Sequence, residues 1–158
     1  MSLTIRPATP DDAPQMCALL NAIIEKGGTT AHRVPYDTDR MISDYVASAY
    51  AVSCFVADED GEVLGFQSLE QKKPTFPLPE GWGLIATFVK MGVHGKGVGA
   101  QLFEATRKAA RDANLTAIDA TIRLENIGGL AFYTKMGFVD YATKPEVVSK
   151  KYDLSTED

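Results

Sequence analysis

Two cysteines, two histidines and one tryptophan in 158 residues leave little material for several kinds of chemistry. Cys17 and Cys54 cannot form a disulfide framework, and neither has a His or Cys neighbour at metal-ligand spacing. Both read as buried, reduced small hydrophobes, and no metal site is expected. No stretch reaches the roughly 20 apolar residues of a membrane span, and the polar start Met1-Ser2-Leu3-Thr4-Ile5-Arg6 lacks the apolar block of a secretory signal. Positive charge is scarce too: 16 Lys and Arg stand against 21 Asp and Glu, a net charge of −5. The largest basic groupings are Arg107-Lys108 with Arg111, and Lys150-Lys151. Gripping a nucleic-acid backbone takes several clustered cations, so neither nucleic acid nor a membrane is an expected partner. A small anionic ligand needs only local positive potential and stays compatible. The expected location is the cytoplasm.

What is present reads as one globular α/β domain over residues 1–158, with 45% hydrophobic and 23% charged residues. A chain of this length buries roughly 70% of its unfolded surface. Leu3 to Arg6 alternates as a short strand. Thr9 as N-cap with Pro10 at the first helical position starts a helix that carries Met16, Leu19, Leu20, Ile23 and Ile24 and stops at Gly27-Gly28. Thr38-Asp39 caps a second helix. Val52–Asp58 and Glu62–Glu70 form a hairpin about Asp60-Gly61, and the Pro-containing stretch 72–83 is a loop. The nearly continuous apolar run Leu84–Val89 predicts a central strand covered on both faces. A helix follows over about Val98–Ala113, with Val98, Leu102, Phe103, Ala105, Ala109 and Ala110 as its buried stripe. A strand over Leu115–Ile122, a short helix over 127–136 and a terminal strand pair, Phe138–Ala142 and Val147–Leu154, complete the chain.

Two segments carry chemistry. In the first, His94-Gly95-Lys96-Gly97-Val98-Gly99-Ala100, a Gly-rich loop opens a helix. The first amides of a helix have no internal partner and its dipole is positive there, so glycines that let the backbone approach closely can cradle phosphate oxygens. A Walker loop is ruled out because Gly97, not Ser or Thr, follows Lys96. The dinucleotide fingerprint fits poorly in spacing, although Asp119 about 20 residues on supplies its acidic residue. The second segment runs from Asn126 to Phe138. Asn126 is a natural N-cap, Phe132 and Met136 share a face that packs on the sheet, and Tyr133 is displaced from that face, free to offer its hydroxyl to a cleft.

Together the two segments resemble the GNAT superfamily of acetyl-CoA-dependent N-acetyltransferases. His94-Gly95-Lys96-Gly97-Val98-Gly99 matches that family's Gln/Arg-x-x-Gly-x-Gly/Ala loop except at the first position. Asn126 and Tyr133-Thr-Lys-Met-Gly137-Phe138 match its later signature. Ile5-Arg6-Pro7-Ala8-Thr9 and Asn21 to Thr30 resemble, more loosely, the phosphinothricin acetyltransferase branch. The resemblance implies a mixed, mostly antiparallel sheet of about seven strands flanked by about four helices. It also implies acetyl-CoA as cosubstrate, lying where the fourth and fifth strands splay. Phe88 and Val89 would then face the pantetheine arm, residues 95–100 the diphosphate, Asn126 the cofactor side and Tyr133 the thioester sulfur. His94 brings less charge than the usual Arg, but an imidazole with an ordinary pKa near 6.5 can charge beside a diphosphate.

By the same resemblance, a neutral amine attacks the thioester directly and Tyr133 donates to the leaving thiolate, either as a hydrogen-bond stabiliser or as an acid with a lowered pKa. The glutamate base of the phosphinothricin branch has no counterpart in Gly83-Leu84-Ile85. Glu25, Glu70 and Glu80 are the candidates, with Glu25 leading because it ends the first helix beside the acceptor loop. His32, in a polar loop, reads as solvated. The expected acceptor is a small amine or amino-acid-like molecule, and a protein or peptide amine is the alternative. A non-catalytic acyl-CoA-binding module and a nucleotide-dependent oxidoreductase are alternatives of other classes. A homodimer is a family habit that no sequence feature specifies.

Overall fold

Seven stretches of strand-forming residues join one sheet in the computed structural model, which describes residues 3–156. Met1 and Ser2 of the polar start, and the last two residues of the expected 1–158 domain, lie outside that range. The strands are β1 (Leu3–Pro7), β2 (Ala51–Glu59), β3 (Glu62–Glu70), β4 (Trp82–Val89), β5 (Ala117–Arg123), β6 (Val139–Thr143) and β7 (Val147–Asp153). Their order is β1-β2-β3-β4-β5-β7-β6, with every pair antiparallel except β4–β5. The apolar run 84–89 is thus in the middle strand, as its composition predicts.

One irregularity of this sheet positions everything that follows. β4 is laddered to β3 from Leu84 to Val89, but it pairs with β5 only through Trp82–Leu84 against Ala117–Asp119. Beyond Leu84 the two parallel strands diverge, and the β5-facing edge of β4 has no strand partner. The expectation of cover on both faces therefore fails for part of β4: Leu84 and Ala86 to Val89 are only half-buried. Their apolar character serves an open cleft as well as the core.

Four helices pack on the sheet: α1 (Ala13–Lys26), α2 (Thr38–Met41, followed by a wider helical turn over Ile42–Val46), α3 (Val98–Asp112) and α4 (Ile127–Met136). Side chains alternate across a strand, so one face of β3–β4 carries Phe66, Ser68, Glu70, Ala86 and Phe88, and the other Gln67, Leu69, Ile85 and Thr87. The first face packs on α1 and the 41–46 turn, through Met16, Leu20, Met41 and Tyr45. The second packs on α3 and α4, through Phe103, Ala110 and Tyr133, and on Phe138 just after α4.

Local details depart from the sequence reading in four places: Pro10–Asp12 is a 3₁₀ turn ahead of α1, Trp82 and Gly83 of the expected loop belong to β4, and α2 and α3 differ as follows. The N-cap of α2 is Asp37, whose side chain accepts the Arg40 N–H at 2.8 Å, in place of Thr38-Asp39. All three residues of Asp37-Thr38-Asp39 suit a cap, and the first one occupies extended backbone. On α3 the buried stripe is Val98, Leu102, Phe103, Thr106 and Ala110, while Ala105 and Ala109 are half-buried. Cys17 and Cys54 are buried free thiols, and burial pushes Cys54 up to about 12. Among the described residues, no helix is long and apolar enough to cross a membrane, and no group of His, Cys, Asp and Glu could hold a metal ion.

Candidate active site

The divergence of β4 and β5 opens a cleft of about 820 Å³. Its walls come from β4, the end of β5, the start of α3, one side of α4 and the loop after α1. Gly97, Gly99 and Ala100 form the rim contributed by α3. Gly97 has φ +65°, a conformation that side chains disfavour, and it is the residue from which α3 starts. Gly99 is required for a different reason: a Cβ there would stand 2.7 Å from Phe132 Cε1. α3 and α4 can therefore touch at their cleft ends only because Gly99 has no side chain.

That contact decides how α4 is rotated. With Phe132 leaning on Gly99, Tyr133 turns to the sheet and is buried, while Phe132 and Met136 are half-buried on the cleft wall. Phe132 and Met136 pack against the sheet-side core as predicted, but Tyr133 is not displaced from it: it is the most deeply buried of the three. Tyr133 nonetheless reaches the cleft. Its hydroxyl lies 2.8 Å from Thr87 Oγ1, and Thr87 Oγ1 accepts a hydrogen bond from Gln67 Nε2 at 2.9 Å. Burial pushes the phenol up to about 12, with the Thr87 hydrogen bond pulling the other way. Tyr133 is thus a protonated donor at neutral pH, and an acid with a lowered pKa is not what its surroundings make.

Asn126 caps α4 by accepting the Gly129 N–H at 2.9 Å, and Gly137 closes the helix. The Asn126 amide also donates to the Thr29 carbonyl at 3.0 Å, tying the loop after α1 to the mouth of the cleft.

On the other face of β3–β4 the cleft is aromatic and carries one carboxylate. Tyr45, Phe66 and Phe88 pack ring against ring, with Tyr36 and His32 behind them. His32 Nε2 lies 2.8 Å from the Tyr45 hydroxyl. Burial, reinforced by the Arg40 charge, holds the imidazole below its ordinary pKa of 6.5, so it is neutral at pH 7. The reading of His32 as solvated is corrected: it is half-buried and lines the cleft. Glu70 ends β3 on the same wall, 5% exposed, accepting from Ser48 Oγ at 2.5 Å and from Lys73 Nζ at 3.2 Å.

The sequence-predicted residues divide between wall and periphery. Phe88, Val89, Gly97, Gly99, Ala100, Asn126 and Tyr133 line the cleft. Val98 is buried under α3, and His94 and Gly95 are exposed beside the rim without lining it. Lys96 pairs with Glu59 at 3.0 Å, so its charge is shared with the end of β2. Glu25 is exposed and off the wall, and Glu80 is exposed near Lys72. Thr87 and Gln67, which sequence reading passed over, are marked by being the polar interruptions of apolar strands.

With this geometry in view, comparison with known proteins agrees at three levels. A family model described as acetyltransferase (GNAT) family matches residues 18–138. An L-methionine sulfoximine/L-methionine sulfone acetyltransferase of Pseudomonas paraeruginosa (strain DSM 24068 / PA7) is 30% identical over 155 residues, covering 95% of this chain and 88% of the relative. The fold is shared with an N-acetyltransferase from Staphylococcus aureus Mu50, at TM-score 0.85 and 21% identity over 98% of this chain and 99% of that one. It is shared as well with yncA from Salmonella typhimurium, solved with its cofactor acetyl-CoA, at TM-score 0.84 and 20% identity over 100% and 97% of the two chains.

Proposed function

We infer the chemistry of the cleft from one premise: this chain belongs to the acetyltransferase (GNAT) family. It is an acetyl-CoA-dependent N-acetyltransferase, and the acceptor we propose is the primary amine of a small, amino-acid-like molecule. The observation that carries this reading is the division of the cleft by β4. A buried phenol, Tyr133, stands on one side of that strand and a buried carboxylate, Glu70, on the other.

The residues present suit acetyl-CoA. The unpartnered edge of β4 beyond Leu84 offers backbone donors and acceptors to an amide-bearing arm. The start of α3, with Gly97, Gly99 and Ala100 at its rim, offers amides and a positive dipole end to a diphosphate. Lys135 adds positive charge to the cleft wall, and Arg123 lines it with its charge shared with Glu125 at 2.9 Å. When bound, the cosubstrate supplies an activated acetyl thioester.

The protein's own residues do the rest. Glu70 attracts the acceptor ammonium through Coulomb interaction in a partly desolvated wall and is the carboxylate best placed to take its proton. Glu25, off the wall, is not proposed for that role. As the amine nitrogen bonds to the carbonyl carbon, the carbon–sulfur bond breaks and its electron pair stays on sulfur. The Tyr133 hydroxyl points a hydrogen bond at that charge. With the phenol near 12 and a thiol near 8.5, full proton transfer runs uphill by roughly 5 kcal/mol, so Tyr133 acts as a stabilising donor. The aromatic wall of Phe88, Tyr45 and His32 suits an uncharged or weakly polar acceptor side chain.

The test is thiol release from acetyl-CoA across amino acids, L-methionine sulfoximine among them, polyamines, aminoglycosides and peptides. Turnover is expected on amino-acid-like amines. Turnover confined to peptide or protein amines would move the acceptor assignment to that class.

A further inference from the structure

We propose that Thr87 is a positioning residue for the reaction, held by Gln67 so that the Tyr133 hydroxyl proton points into the cleft. This rests on the reading of Tyr133 as the donor to the leaving sulfur. Thr87 and Gln67 face each other in register on β4 and β3, in a layer otherwise filled by Leu69, Ile85, Phe103 and Tyr133. Burying an amide and a hydroxyl among such neighbours is unfavourable unless their hydrogen bonds are made, and Gln67 Oε1 has no partner among the described residues. A pair kept only for packing would be better served by two aliphatic side chains.

Proton counting gives the pair its role. A threonine hydroxyl has one proton and can accept two hydrogen bonds. Thr87 Oγ1 already accepts from Gln67 Nε2, at 2.9 Å, and its one other partner among the described residues is the Tyr133 hydroxyl, at 2.8 Å. With the Gln67 amide presenting its Nε2 to Thr87, a Tyr133 proton donated there would be the second to converge on the threonine oxygen, and the threonine's own proton would meet no acceptor among the described residues. If Thr87 donates to Tyr133, its proton is used and the phenol proton is left for the cleft. The amide of Gln67 thus sets the direction of the chain, from β3 through β4 to the phenol. As negative charge builds on sulfur and draws the phenol proton, the Thr87 hydrogen bond to the phenol oxygen strengthens. Such a gain acts in the transition state more than on bound acetyl-CoA.

Thr87→Val keeps the shape and strand preference of the residue and removes the hydroxyl. Its kcat is expected to fall about 10- to 100-fold, the reach of one hydrogen bond to a charging group, while KM for acetyl-CoA stays within about threefold. Thr87→Ser restores the hydroxyl and is expected to recover kcat to within about threefold of the parent. In a Tyr133→Phe background, Thr87→Val should cost nothing further, because its effect passes through the phenol. Circular dichroism and thermal unfolding of each variant establish that the fold is kept. Should Tyr133→Phe lose activity while Thr87→Val retains full kcat, the positioning role is overturned and the donor reading stands. Full activity in Tyr133→Phe itself would overturn the donor reading and this inference with it. An equal loss in Thr87→Val with and without the phenol would also overturn it, since that pattern marks a packing effect.

Discussion

Tyr133 and Thr87 meet hydroxyl to hydroxyl at 2.8 Å, joining the middle of α4 to the open half of β4. This contact brings a protonated phenol to the edge of a cleft whose other wall carries the Glu70 carboxylate. Tyr133→Phe removes one oxygen from a residue whose ring is already packed between Phe132 and Phe138. Turnover is expected to fall on the order of 10²- to 10³-fold, the cost of one lost donor to developing charge, with little change in KM for acetyl-CoA and an unchanged circular dichroism spectrum. Steady-state kinetics with a thiol-trapping readout measure this, and near-parental turnover would remove the phenol from the mechanism.

Glu70 and Glu25 separate two positions for the acceptor-side carboxylate. Glu70 is buried on the cleft wall with Ser48 and Lys73 as partners, and Glu25 is exposed at the end of α1. Glu70→Gln is expected to lower kcat/KM for the amine by about 10- to 100-fold, as expected for a lost charge-assisted hydrogen bond or proton acceptor. Glu25→Gln should leave it within about twofold, the ordinary outcome for a surface substitution. Measuring kcat/KM against amine concentration at saturating acetyl-CoA decides between them, and the reverse ranking would return the role to the end of α1.

The strands, the long helices and most of the cleft rim were legible in the sequence because each rests on local chemistry. Asp60-Gly61 makes a hairpin, Asn126 and Gly137 bracket a helix, and the loop glycines open α3 whatever lies around them. The failures concern how elements are rotated and apposed. Nothing local to 127–136 tells that Phe132 will be taken up by Gly99, thirty-odd residues earlier, and that Tyr133 will therefore turn inward. His32 reads as solvated because its chain neighbours are polar, yet its spatial neighbours are Tyr36, Tyr45 and Phe88. Glu70 and Glu25 are alike in sequence and differ only in which surface the fold covers.

Gly99 makes the contact between α3 and α4 testable. A Cβ added there would stand 2.7 Å from Phe132 Cε1 and 3.1 Å from Cζ, so the ring must shift, and the cleft is the open space beside it. Gly99→Ala gains about 1 kcal/mol of helix preference and loses about 1–3 kcal/mol to overpacking, giving a small net destabilisation. The functional effect should exceed the stability effect. KM for acetyl-CoA is expected to rise roughly tenfold, equivalent to about 1.4 kcal/mol of binding, because the displaced ring intrudes on the wall. Titration of acetyl-CoA alongside thermal unfolding checks both numbers, and unchanged KM would show that Phe132 yields in another direction.

Far from the cleft, Arg6 ties the start of the chain to α1 and to β2. Its guanidinium donates to both carboxylate oxygens of Asp12, at 2.9 and 2.8 Å, and to Asp58 at 3.1 and 3.2 Å. Asp12 is 5% exposed and also accepts the Thr9 N–H at 2.8 Å. The Arg6 hydrogen bonds, helped by the Thr9 amide, hold the Asp12 carboxyl below its ordinary value of 3.8. A carboxyl whose folded pKa is depressed binds its proton more readily in the unfolded chain. Its stabilising contribution is therefore complete above the ordinary value and disappears as the pH falls through the folded one. Asp12→Asn should cost about 1–3 kcal/mol at neutral pH, the worth of a hydrogen bond to a charged partner left unmade. Urea unfolding of the parent is expected to be level near pH 7 and to weaken below about pH 4, while the variant's curve falls less steeply over the same acid range. The two should converge at the acid end, and curves that stay parallel throughout would mean that Asp12 contributes through packing instead of charge.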